Sequence, residues 1–190
     1  MGLAAQAVSF NYSSTVNSLI TFDGASHFTF APLANNFSVS TGTAAGLLGE
    51  ITGNFTIGIV SGSSAPVTGT GTFVIHDGAF TFSATLVWNN IAQLGTINGL
   101  NTIGNANLSA ITYGGSNADL LAIKNAGVGK NNFSFQFGAA TTVDSLKTTA
   151  TTTSFSGTVA TPDGSTTVVL LGFALAGMAT LRRTIKGSKV

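Results

Sequence analysis

Phenylalanine alternates with small polar residues along much of this chain, and that alternation restricts the fold more than any other feature. Phe133-Ser134-Phe135-Gln136-Phe137 is the clearest run, and Phe80-Thr81-Phe82-Ser83-Ala84-Thr85-Leu86-Val87-Trp88 extends the pattern over nine residues. Phe73 and Ile75, then Phe55, Ile57 and Ile59, Phe28 and Phe30, and Val8, Phe10 and Tyr12 repeat it. Side chains on a strand point alternately to opposite faces, so each run has one apolar face and one face of Ser, Thr or Gly. β-Branched and aromatic residues suit such a pleated, half-buried surface.

Turn-formers separate the runs: Asp23-Gly24, Gly62-Ser63, Asp77-Gly78, Asn98-Gly99 and Gly114-Gly115. Ala118–Asn125 is the best candidate for a short helix. Residues 148–161 are rich in Thr and read as a last strand anchored by Phe155 and Val159, or as a hydroxyl-rich stalk. About ten short strands at this spacing predict an all-β body, an antiparallel β-sandwich or jelly roll. A membrane barrel shares the alternation, but its strands run about 9–11 residues with aromatic girdles, and most runs here are shorter.

Charged residues make up only 7% of the chain, against about 25% in a typical soluble domain. Fourteen Phe and a 44% hydrophobic fraction nevertheless point to a folded core rather than disorder. So little charge leaves exposed sheet edges poorly protected against association. Residues 1–163 hold three lysines against six acids, net −3, whereas residues 164–190 carry four basic residues and no acid. With no basic face on the body, no nucleic-acid partner is expected. The absence of cysteine removes disulfides, thiolate metal sites and cysteine nucleophiles.

The few titratable residues allow an exhaustive search for chemistry. His76 adjoins Asp77, but strand neighbours face opposite ways, so the two read as a hairpin tip rather than part of a triad. Asp23, Asp77 and Asp163 precede glycine and read as turn residues, leaving Glu50, Asp119 and Asp144 without a role. A catalytic carboxylate pair among these, or a metal held by His27 and His76, has no support from spacing, so no catalytic residue, metal or cofactor is expected. Trp88 with Asn89 and Asn90 is the one place resembling a ligand platform, an aromatic ring beside amides. The plainer expectation is that Trp88 closes a strand as a core aromatic.

The ends carry an address. Ala5-Gln6-Ala7 fits the A-x-A pattern of a signal-peptidase site, so residues 1–7 are read as the remnant of a signal peptide, ahead of a body over 8–160. From Gly164 to Leu181 no residue is charged. As a helix this stretch spans roughly 27 Å, close to the ~30 Å hydrocarbon core, with Val168, Leu171, Phe173, Leu175 and Leu181 as its apolar anchors. Arg182, Arg183 and Lys186 follow at once. The positive-inside rule then places the tail in the cytoplasm and the body outside.

Pro162-Asp163-Gly164-Ser165, a short apolar helix and paired arginines, in that order over about residues 161–186, resemble the PEP-CTERM family of sorting signals. The nearest form is the variant in which Pro-Asp and small residues replace Pro-Glu-Pro. Thr161 stands where that variant usually has Val. The resemblance implies export in a Gram-negative bacterium that makes exopolysaccharide, transient anchoring in the inner membrane, and processing by an exosortase. It implies nothing about residues 8–160. The expected role is a structural protein of the cell surface or biofilm matrix, with a non-catalytic carbohydrate-binding module attached to exopolysaccharide as the alternative.

Overall fold

A computed structural model describes residues 7–94, 102–137 and 141–162. The compact unit Val8–Thr161 is built of eleven antiparallel strands and two short helices. In chain order these are β1 (Ser9–Ser14), β2 (Ile20–Asp23), β3 (His27–Phe30), β4 (Phe37–Val39), β5 (Leu48–Ile57), β6 (Ser64–Thr68), β7 (Thr70–Asp77), β8 (Phe80–Gln93), β9 (Thr102–Thr112), α1 (Ala118–Ala126), β10 (Gly129–Gln136), α2 (Val143–Thr148) and β11 (Ala150–Ala160).

The pairings close on themselves. One circuit runs β1–β4–β5–β7–β8–β9–β10–β11 and back to β1. A second runs β11–β2–β3–β5–β6–β8–β9–β10 and back to β11. The long strands β5, β8, β9, β10 and β11 belong to both. β1, β4 and β7 complete the wall at one end, and β2, β3 and β6 complete it at the other. The all-β, antiparallel expectation holds, but the body is a filled barrel rather than two stacked sheets. Closure leaves little free edge among the described strands, which lessens the concern over exposed edges.

The interior is aromatic. Every phenylalanine of the body except Phe80 is buried. Burying each such side chain is worth roughly 1.5–3 kcal/mol against exposure. Toward the first end, Tyr12, Phe37, Phe73 and Phe82 pack in stacked and edge-on pairs. Toward the second, Phe22, Phe28, Phe30, Phe55, Phe135 and Phe155 continue the column. Glycine makes room for the rings: a Cβ on Gly157 would lie 2.3 Å from the Tyr12 hydroxyl, and one on Gly49 2.3 Å from Phe37 Cζ. Outward positions are largely Thr, Ser and Asn, as in the cross-strand row Thr52, Thr72, Thr85, Ser109. This polarity is the reverse of a lipid-facing barrel, whose apolar band points out.

The helices finish the core. Leu120 and Ile123 of α1 are buried at the first end, and Asn117 caps that helix with its side chain. Val143 and Leu146 of α2 are buried at the second end, below a Thr142–Ser145 capping box. α1 was expected from the sequence; α2 was not, being only six residues long.

Several local expectations change. Ile59 lies beyond the end of β5 and is 85% exposed, so it anchors nothing. Phe80 sits at the β7–β8 hairpin, past the core, and is half exposed. Gly78 opens the two-residue loop of that hairpin with φ 59°, as a II′ turn requires. The Thr-rich stretch is strand β11, buried between β1 and β10 and facing Thr153, Phe155, Gly157 and Val159 inward, which excludes a stalk. The Asn98-Gly99 turn lies outside the described residues.

Candidate functional site

β11 carries the chain out of the barrel. Its last residue, Ala160, is paired on one side with Ser9 and on the other with Lys130. The pairing continues one residue further. The Thr161 N–H donates to the Val8 carbonyl at 2.9 Å, and the Val8 N–H donates to Thr161 Oγ1 at 3.0 Å. Pro162, lacking an N–H, cannot extend the ladder. The body therefore remains hydrogen-bonded up to the residue before Pro162.

Asp163, Gly164 and Ser165 lie outside the described residues. So do the proposed helix, with Val168, Leu171, Phe173, Leu175 and Leu181, and the basic stop at Arg182, Arg183 and Lys186. Among the described residues no helix is long and apolar enough to cross a membrane.

Trp88 is in the core. Its ring stacks on Phe133 with centroids 4.5 Å apart and planes 14° apart, and meets Phe28 edge-on at 5.0 Å. No face is left for a ligand. Nor does Trp88 end its strand. A bulge lies between Trp88 and Asn90, where β8 uses one residue more than β9. The inward parity then changes from Phe82, Ala84, Leu86 and Trp88 to Ile91, all buried.

Asn89 and Asn90 face outward and accept hydrogen bonds from Asn107 Nδ2 and Asn105 Nδ2, respectively. Asn90 begins a row that register carries across five strands through Asn105, Asn132 and Thr158 to Asn11. Thr158 Oγ1 donates to Asn11 Oδ1 at 2.7 Å. Neighbouring strands are about 4.8 Å apart, so the row presents uncharged amides and a hydroxyl at that interval. Isolated Asn residues in the sequence gave no signal of this alignment, which depends on pairing between distant strands.

The two histidines stand apart. His76 is exposed on β7 opposite Thr81, while its neighbour Asp77 accepts a hydrogen bond from the Tyr113 hydroxyl. His27 opens β3 beside Asp23. The turn expected at Asp23-Gly24 is present, and Asp23 organises it: Oδ1 accepts from the N–H groups of Ala25 (2.7 Å) and His27 (2.9 Å), and Oδ2 lies 3.1 Å from His27 Nδ1. This pair had no sequence signal beyond its i, i+4 spacing across a hairpin. Thr21, Thr29, Phe28 and Asn54 complete a shallow hollow of about 170 Å³ around it. Asp119 binds the N–H groups of Thr43 and Ala44 near α1, whereas Asp144 sits in the first turn of α2 at the other end. Glu50 is on the outer face of β5. The described residues thus bring together a single His–Asp pair and no trio of metal-ligating side chains.

The Ala25 and His27 N–H groups hold the Asp23 carboxyl below its usual range, with His27 adding to the effect. A depressed carboxyl pKa contributes stability that is present above the unfolded value, near 3.9, and lost as pH falls through the folded one. Carboxyl NMR titration should therefore give Asp23 a midpoint below that of an unfolded peptide. An Asp23→Asn variant should lose less hairpin order than wild type as pH falls below about 4. A midpoint at or above the peptide value would remove this account.

Comparison with known proteins decides which feature is informative. The VPDSG-CTERM motif matches residues 162–185. The chain ends in a variant PEP-CTERM-like sorting signal. Pro162 and Asp163 keep the order of the motif's name, and Gly164-Ser165 reverses its Ser-Gly. The signal marks an exported, surface-directed protein. No curated protein and no solved structure matches the chain.

Proposed function

We propose that this chain is an exosortase substrate whose barrel, once exported and freed of its tail, serves as a structural component of the bacterial surface or extracellular matrix. The observation that carries the reading is the sorting signal at residues 162–185. The body suits the role: an aromatic interior needs no metal or disulfide, and its outer face is rich in hydroxyls and amides with few charges. The A-x-A segment ending at Ala7 supports export as well, since cleavage there leaves a chain starting at Val8, the residue paired with Thr161.

Attachment to a neutral exopolysaccharide is a second reading. It now rests on the Asn90–Asn105–Asn132–Thr158–Asn11 row rather than on Trp88. Saturable binding weakened by Asn132→Leu would favour it.

Two measurements test the main reading. Reporter fusions at Ala140 and Ser188 should fall on opposite sides of the inner membrane, with Ala140 outside. Intact mass of the protein released from cells should show loss of the residues beyond about Pro162. Both reporters in the cytoplasm, or a released form that retains Val190, would defeat it.

A further inference from the structure

Thr161 and Val8 are hydrogen-bonded to each other at the last residue before the sorting signal. β11 is an interior strand of the wall, paired with β1 and β10 up to Ala160. Thr161 adds two hydrogen bonds to Val8, one through its backbone N–H and one through its hydroxyl. The motif begins at the very next residue, so no linker separates the closed barrel from Pro162. A protease reads an extended peptide, at most about 3.3–3.6 Å per residue, on both sides of the bond it cuts. For a cut near Pro162 the upstream residues are Val159, Ala160 and Thr161. Val159 is fully buried, and all three are already bonded to neighbouring strands or to Val8.

We propose that the Val8–Thr161 pair gates processing: the end of β11 must detach from β1 before the processing enzyme can seat the chain, so the folded barrel sets the rate. This rests on the processing reading above. Thr161 stands where the motif's name has Val. A valine keeps the backbone bond but has no side-chain acceptor for the Val8 N–H, so in this chain the hydroxyl adds the second of the two bonds. Removing one net hydrogen bond raises the open population roughly two- to tenfold.

The test is pulse–chase of the full chain in a host that has the sorting system, with loss of the tail followed by mass. Thr161→Ala removes the acceptor for the Val8 N–H and leaves the matched residues 162–185 unchanged. A short Gly-Ser spacer between Thr161 and Pro162 moves the motif clear of the wall and leaves the Val8–Thr161 pair intact. Both should accelerate conversion, the first roughly two- to tenfold and the spacer at least as much. A serine at position 161 (Thr161→Ser) keeps the acceptor and should process at the wild-type rate. Thermal unfolding of each variant shows whether the barrel as a whole is retained. If wild type loses its tail and neither Thr161→Ala nor the spacer changes the rate, the gate is wrong while the processing reading stands. If no version loses the tail, both fall.

Discussion

Replacing Trp88 with alanine should destabilise the barrel by about 3–5 kcal/mol, the range for deleting a large buried aromatic. The ring stacks on Phe133, meets Phe28 edge-on and packs at a tilt against Phe55, so its loss opens a void bounded by three strands. The wall cannot collapse into that void easily, because Gly104 already lets the β9 backbone approach the ring. A Cβ there would lie 2.1 Å from Trp88 Cζ3. Trp88→Phe should cost far less. The indole Nε1 is buried without a hydrogen-bond partner, so a ring with no N–H gives up packing area but no bond. Urea denaturation of the two variants separates this account from the ligand-platform one. A binding residue could go to alanine with little change in midpoint, and a Trp88→Ala midpoint close to wild type would show that the ring is not in the core.

The strands were readable because burial and alternation agree residue by residue. Phe133 and Phe135 are completely buried, and the Thr-rich stretch faces Phe155 and Val159 inward as its spacing implied. What escaped detection was set by contacts between distant segments. Closure depends on β11 meeting β1, with Phe10 opposite Val159, and no local pattern encodes a pairing across that separation. The Trp88–Asn90 bulge interrupts the alternation, so the sequence appears to end a strand where the strand in fact continues to Gln93. Ile59 fits the period-two pattern but falls after β5 has turned away.

Of the candidate site, the sorting motif at residues 162–185 was legible, since its order of residues is local. The Thr161–Val8 pair was not, because it joins the two ends of the body. The ring of Trp88 illustrates the asymmetry. A tryptophan beside two asparagines reads the same whether it is turned out or in, and only its three-dimensional neighbours decide.

The least legible residue has one of the largest expected effects. Asn36, just before β4, is completely buried. Along one edge of β5 the partner changes from β4, opposite Leu48 and Gly49, to β3, opposite Asn54, Phe55 and Thr56. Ile51 falls in the gap between those partners. Its N–H donates to Asn36 Oδ1 at 2.9 Å, and its carbonyl accepts from Asn36 Nδ2 at 2.8 Å. The same Nδ2 reaches the Ala31 carbonyl at 3.1 Å. One side-chain amide thus does the work of a missing strand residue where the wall passes from one ring of strands to the other. Asn36→Leu fills similar volume with no polar atom and orphans the N–H and carbonyl of Ile51 inside the protein. Each such group costs about 1–3 kcal/mol when left unmade, so a loss of about 2–5 kcal/mol is expected. Asn36→Asp keeps the acceptor but removes both donated bonds and buries a carboxyl, and should be destabilised more at neutral pH than at acid pH. Asn89→Leu, an exposed change on β8, is the control and should stay within about 0.5 kcal/mol of wild type. Equilibrium denaturation of the three variants is the measurement. An Asn36→Leu barrel as stable as the Asn89→Leu one would mean that Ile51 finds other partners and that the amide does not bridge the two rings.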